Sequence, residues 1–197
     1  MSAEPVGLLL AAGRGVRYDP SGHALKLLAP ARRGPHNAPL AAAAARTMSA
    51  ALPRVIAIVR SVDSDAQRQL HALLRGEGCA LTVCENADAG ISASIACGVR
   101  ASADASGWII ALADMPAVAA ATVRAVAEAL ESGAATAAPM YRGQRGHPVG
   151  FSAALRGELL ALTGDTGARP VLAAHPPQLL EVDDPGVVYD VDFLEQH

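Results

Sequence analysis

Short apolar runs alternate along the chain with longer amphipathic or alanine-rich stretches. Three runs stand out: residues 6–12 (Val-Gly-Leu-Leu-Leu-Ala-Ala), 55–59 (Val-Ile-Ala-Ile-Val) and 107–113 (Gly-Trp-Ile-Ile-Ala-Leu-Ala). None of them alternates apolar with polar positions, so each reads as a strand covered on both faces, as in a parallel sheet. Shorter runs at 81–84, 134–139, 179–182 and 187–191 predict further strands, and segment 141–151 reads as a turn followed by one more short strand. Residues 27–30 read as a short extended piece and 31–39 as a loop rich in Arg, Gly, Pro and Asn.

The intervening stretches predict helices. Residues 40–51 are dominated by alanine, the strongest helix former. Residues 63–76 carry apolar Leu70, Leu73 and Leu74 and end at Gly76. Residues 92–102, 119–131, 152–162 and 170–175 complete the set, with Pro116 suited to the first turn of the helix at 119–131. Strands alternating with helices predict one α/β domain over residues 1–197, a three-layer sandwich around a mostly parallel, Rossmann-like sheet.

Composition narrows the function. Apolar residues make up 51% of the chain and aromatics only 3%, so the core is aliphatic and base-stacking side chains are scarce. With a net charge of −3 there is no basic excess, which argues against sequence-independent nucleic-acid binding. No apolar run reaches the length of a membrane span, and the start lacks a basic leader, so a cytoplasmic protein is expected. Cys79, Cys84 and Cys97 have no C-x-x-C spacing and read as free, mostly buried thiols.

The first apolar run carries the candidate chemistry. It stops at Gly13-Arg14-Gly15-Val16-Arg17, and Lys26 follows. Glycines let backbone N–H groups approach an anion, and this end of a parallel strand is where α/β sheets bind ligands. Lys26 is the sole lysine among 16 basic residues, and a compact ammonium suits a phosphate oxygen. The stretch is neither a dinucleotide fingerprint, since Tyr18 replaces its last glycine, nor a Walker A loop, since Leu27 follows Lys26. Asp114 ends the run at 107–113 and stands where a carboxylate suits Mg²⁺. The polar segment 85–94, with Asn86, Gly90, Ser92 and Ser94, leads into a helix start that suits either a polar ligand or ordinary capping.

Leu10-Ala11-Ala12-Gly13-x-Gly15-x-Arg17 followed by Lys26 resembles the signature of the MobA-like NTP transferases, with 18–23 as a small insertion before the lysine. Asp114-Met115-Pro116 is similar to their metal-holding turn. Gly146-His147-Pro148-Val149 and Gly164-Asp165-Thr166-Gly167-Ala168-Arg169 resemble motifs of the branch nearest molybdopterin cytidylyltransferase. Asp190-Val191-Asp192 is similar to a closing D-I-D, although Phe193-Leu194 replace the usual Thr-Pro.

The resemblance implies a nucleotide-diphospho-sugar transferase-like fold and transfer of a nucleoside monophosphate, CMP from CTP, to molybdopterin with release of pyrophosphate. Leu10, Ala11, Ala12, Gly13, Gly15, Arg17 and Lys26 would then hold the triphosphate, and Asn86, Gly90 and Ser94 the base and ribose. Asp114 and Asp192 would hold Mg²⁺ or Mn²⁺, and Lys26, Arg17 and Asp114 would carry the chemistry. His147, Asp165 and Arg169 would line the acceptor side; turn capping by His147 and a bracing Asp165–Arg169 pair are the alternatives. A molybdoenzyme receiving the product is the implied protein partner. GTP as donor, a sugar or polyol phosphate as acceptor, and a non-catalytic cofactor carrier of the same fold are the rival readings.

Overall fold

The computed structural model describes residues 4–13, 25–31 and 38–190. Its centre is an eight-stranded sheet in which β1 (Val6–Leu10) pairs in parallel with β2 (Val55–Val59) on one side and β4 (Gly107–Leu112) on the other. Every residue of β1 and β2 is buried, which is why these runs are apolar throughout. β3 (Ala80–Val83) pairs in parallel with β2 and forms one edge, and its mixed burial matches its weaker apolar pattern. Beyond β4 the sheet becomes mixed. β7 (Val149–Ser152) runs antiparallel between β4 and β5 (Thr136–Tyr141), while β8 (Gln178–Glu181) pairs in parallel with β5.

Two helical layers cover the sheet. The helices α1 (Leu40–Ala51), α2 (Asp65–Gly76) and α4 (Ala120–Glu131) pack on the face that carries Leu9, Ala57 and Ile109. The opposite face, with Leu8, Ile58 and Ile110, is covered by α3 (Ile91–Ala101), α5 (Arg156–Leu160) and α6 (Arg169–Ala174). Adjacent strand residues thus feed separate cores, as the strand pleat requires. The expected three-layer α/β sandwich is the observed one. Among the described residues no helix is long and apolar enough to cross a membrane.

Several local expectations are corrected. The extended piece expected at 27–30 is confined to its end: Lys26–Leu28 is a 3-10 turn, with the Ala29 N–H on Lys26 O at 2.9 Å, while Ala29 is extended and Pro30 bridges Pro39. Pro116 lies in a turn before α4 rather than in its first turn. The start of α4 is set from elsewhere: Asp184 Oδ2 accepts from the Ala119 N–H at 2.8 Å and from the Thr122 hydroxyl at 2.6 Å. The strand expected at 187–191 does not form among the described residues, which run to 190: Pro185–Val188 is a 3-10 helix, capped by Asp184 through the Gly186 N–H at 3.0 Å, and 191 lies outside the described residues. The helix expected at 152–162 splits into a 3-10 turn, Ala153–Leu155, and the short α5. Segment 141–151 holds an additional strand, β6 (Gln144–Arg145), which folds back on β5. Cys79 and Cys84 are buried and Cys97 is partly buried, all three as free thiols.

Candidate active site

The parallel strands deliver their C-terminal ends to one crevice. Leu10 pairs with Leu112, and the Ala113 N–H donates to Leu10 O at 3.2 Å. The chain leaving β1 at 11–13 and the chain leaving β4 at Asp114 therefore depart side by side. Lys26 reaches the same place from the 3-10 turn. That turn is tied to the start of α1 by the Leu40 N–H on Ala29 O at 2.9 Å and the Ala31 N–H on Ala38 O at 2.8 Å. Lys26 Nζ donates to Asp114 Oδ2 at 2.9 Å, with 12% and 28% of the two side chains exposed.

This pair stands in the wall of a cavity of about 930 Å³, which Leu10, Ala12, Gly13, Gly90, Ser94 and Asp165 also line. Ala11, although adjacent, packs into the core below α1 and α2. Asn86 is not brought to the wall: it is exposed and accepts the Cys84 thiol at 3.4 Å. Gly15, Arg17 and Asp192 lie outside the described residues.

Gly90 joins two loops. Its φ is +104°, and a Cβ there would come within 2.5 Å of Gly164 O, so only glycine fits. The contact seats loop 163–168 on the start of α3. The Asp165 carboxylate accepts the Ile91 N–H at 3.2 Å, and the buried Ser92 donates its hydroxyl to Gly167 O at 3.4 Å. Asp165 thus braces α3, and Ser92 interlocks the same two elements.

A second cavity of about 310 Å³ adjoins the first. His147, Arg145, Arg169 and Thr166 stand over an apolar floor that includes Ile110 and Phe151. Leu10, Ile91, Leu112 and Asp165 border both cavities. The three residues expected on the acceptor side are therefore brought together here. The His147 N–H donates to Val187 O at 2.9 Å, while its side-chain Nδ1 has no partner among the described residues. Burial lowers the His147 pKa from its ordinary 6.5, the Arg145 charge adds to this, and Asp114 and Asp190 oppose it. The imidazole is therefore neutral at pH 7.

Among the described residues no cluster of three metal-ligating side chains occurs. A hard cation such as Mg²⁺ needs none, since it keeps waters and uses one or two carboxylates plus substrate phosphates. The fit to such a cation rests on Asp114, whose carboxylate already holds a cation, the Lys26 ammonium, in the cavity wall.

Sequence reasoning passed over Arg60 and Asp88, which pair at 2.7 Å and both line the larger cavity. The signal was available. Arg60 directly follows an all-apolar strand, the position that singled out Asp114. Arg145 in the smaller cavity carried no such mark, because it sits in a hairpin rather than after a buried run.

The structure of Rv0371c from Mycobacterium tuberculosis H37Rv is similar at 28% identity and a TM-score of 0.80, over 98% of this chain and 94% of that one. A complex of Rv0371c with manganese is similar at 25% identity and a TM-score of 0.71, over 92% and 89%. Molybdopterin-guanine dinucleotide biosynthesis protein A from Archaeoglobus fulgidus shares the fold at 16% identity and a TM-score of 0.63, over 90% and 84%. No curated protein sequence matches. The model of the MobA-like NTP transferase domain matches residues 7–179, from the first strand through the crevice loops to β8. Fold, crevice and match agree that the chain belongs to this family of nucleotidyltransferases.

Proposed function

We propose that the protein transfers CMP from CTP to a molybdopterin-type acceptor and releases pyrophosphate. The observation that carries this reading is the pair of adjoining cavities, about 930 and 310 Å³, with the Lys26–Asp114 pair in the wall of the larger one. A larger compartment lined by a glycine loop suits a nucleoside triphosphate. The smaller one, with two arginines and a neutral histidine over an apolar floor, suits an anionic acceptor with a planar or apolar body. The name of the Archaeoglobus neighbour supports a pterin acceptor, and the manganese complex supports a divalent cation.

In this reading residues 1–197 act as one domain. Backbone N–H groups of the loop from Ala12 to Gly15, with Arg17 and Lys26, bind the β- and γ-phosphates and neutralise the leaving pyrophosphate. Gly90 and Ser94 face the ribose and base. His147, Asp165 and Arg169 orient the acceptor so that its terminal phosphate oxygen attacks the α-phosphorus in line with the departing pyrophosphate. Asp114, with Asp192, would hold Mg²⁺ or Mn²⁺, which would supply charge neutralisation at the phosphates.

The test is a thermal-shift series with CTP, GTP, ATP and UTP, with and without Mg²⁺, followed by pyrophosphate release with molybdopterin. CTP with Mg²⁺ is expected to raise the melting temperature most, since a ligand bound only by the folded state stabilises it by mass action. A larger shift with GTP would make the protein a guanylyltransferase. Binding without turnover would make it a carrier.

A further inference from the structure

Arg60 is the first residue past β2 and closes a gap that the sheet leaves open. The β1–β2 ladder runs one step beyond the strands, with the Ala11 N–H on Ile58 O at 2.9 Å. There the two backbones part, and the Arg60 side chain carries the connection on. Its Nε donates to Ala12 O at 2.7 Å, and its Nη2 lies 2.7 Å from Asp88 Oδ1. The residue is also held from behind, because the buried His71 of α2 places Nε2 2.9 Å from Arg60 O. Ala12, Gly13, Arg60 and Asp88 all line the larger cavity, yet only 17% of the Arg60 side chain is exposed.

A trans peptide points its C=O and its N–H to opposite sides. Arg60 holds the Ala12 carbonyl toward itself, so the Gly13 N–H of the same peptide is directed away from it. A glycine loop binds phosphate only when its N–H groups, not its carbonyls, face the ligand. A flip of this one peptide would exchange the places of the Gly13 N–H and the Ala12 oxygen at the cavity wall.

We propose that Arg60 is a positioning residue for nucleotide binding: it fixes the orientation of the Ala12–Gly13 peptide at the cavity wall and ties that peptide to Asp88. The inference rests on the nucleotidyl-transfer reading above. Its energetic logic is preorganisation, since a loop already fixed in the binding orientation spends no free energy on ordering when the ligand arrives. The fork of the guanidinium is required, because one donor goes to each partner and an ammonium on a flexible stem cannot hold both in one geometry.

The experiment compares the parent with Arg60→Ala and Arg60→Lys, using calorimetric titration with CTP, CMP and inorganic tripolyphosphate, each with Mg²⁺, together with kcat and KM. Both variants are expected to lose about tenfold or more in affinity for CTP and tripolyphosphate, with a matching rise in KM. CMP, which does not reach the loop's outer phosphates, should change much less. Amide hydrogen exchange at residues 11–13 should speed up in both variants without any ligand. A brace with a purely structural role would instead lower the melting temperature and leave KM unchanged. Variants that bind CTP and tripolyphosphate as the parent does overturn the assignment of Arg60 and leave the nucleotidyl-transfer reading intact. A parent that binds no nucleoside triphosphate overturns that reading, and the nucleotide role of Arg60 falls with it. Should Arg60→Ala fold poorly, Arg60→Lys keeps the charge and the bulk and decides the matter.

Discussion

Lys26 Nζ donates to Asp114 Oδ2 at 2.9 Å across 88 residues of sequence, so the cation suited to phosphate rests on the carboxylate suited to a metal. The pair is part-buried, and neither charge is left to face the crevice alone. A divalent cation and the ammonium compete for the same oxygen. A triphosphate relieves that competition, because it offers Lys26 another anion.

Lys26→Ala separates these roles. Turnover is expected to fall roughly 100- to 1,000-fold, the usual loss on removing one preorganised charged donor from a transition state. Mn²⁺ alone, with no nucleotide, should bind more tightly than to the parent, since its competitor at Asp114 has gone. Titration by water-proton relaxation measures the second effect, and steady-state turnover the first. Unchanged turnover would remove Lys26 from the phosphate site.

Gly90→Ala tests the junction between the two cavities. A side chain at φ +104° is strained, and its Cβ would press on Gly164 O at 2.5 Å. Backbone strain of this kind costs about 1–3 kcal/mol, and the clash adds to it. Gly164→Ala is the control. Its φ is +73° but open space surrounds the position, so strain alone should cost about 1–2 kcal/mol. Urea unfolding midpoints of the two variants should rank in that order.

His147 gives stability a pH dependence. Burial lowers its pKa in the folded protein below the ordinary 6.5 that it has when unfolded. Well above pH 6.5 neither state binds the proton and the contribution is fully present. As pH falls below that value the unfolded chain takes up the proton first, so stability declines until the folded-state pKa is passed. The parent should lose more stability than His147→Gln between pH 8 and pH 5, read from urea unfolding at each pH. Equal slopes would mean that the imidazole titrates normally.

The sheet was legible because its signal is local. β1, β2 and β4 are apolar throughout, and all three came within one or two residues of their observed ends. So was the meeting of Gly13, Lys26 and Asp114, since it follows from the rule that parallel strands share a ligand end. What escaped depended on distant partners. Asp184 sets the start of α4 from 62 residues away, and nothing near Pro116 reveals this. Asp165 answers to Ile91, 74 residues back, rather than to Arg169 in its own motif. Arg60 carried a positional signal, directly after an all-apolar strand, but its hold on the Ala12 carbonyl leaves no mark in the sequence.

Asp114→Asn isolates the carboxylate charge. Asn is nearly isosteric and its side-chain oxygen still accepts from Lys26, so the fold should hold. The negative charge that would attract a divalent cation is gone, and metal-dependent turnover is expected to fall roughly 100-fold or more, in line with a loss of a few kcal/mol of charge stabilisation. Metal-free nucleotide binding should move the other way and tighten. One like charge facing the triphosphate has been removed, and a neutral amide oxygen holds Lys26 less strongly than the carboxylate that binds it at 2.9 Å in the parent, so the ammonium turns more readily to the phosphates. The measurements are turnover against Mg²⁺ concentration and a CTP titration in the presence of a chelator. Normal turnover at saturating Mg²⁺ would reduce Asp114 to a tether for Lys26. Unchanged chelated CTP binding would show that the ion pair does not restrain Lys26 at all.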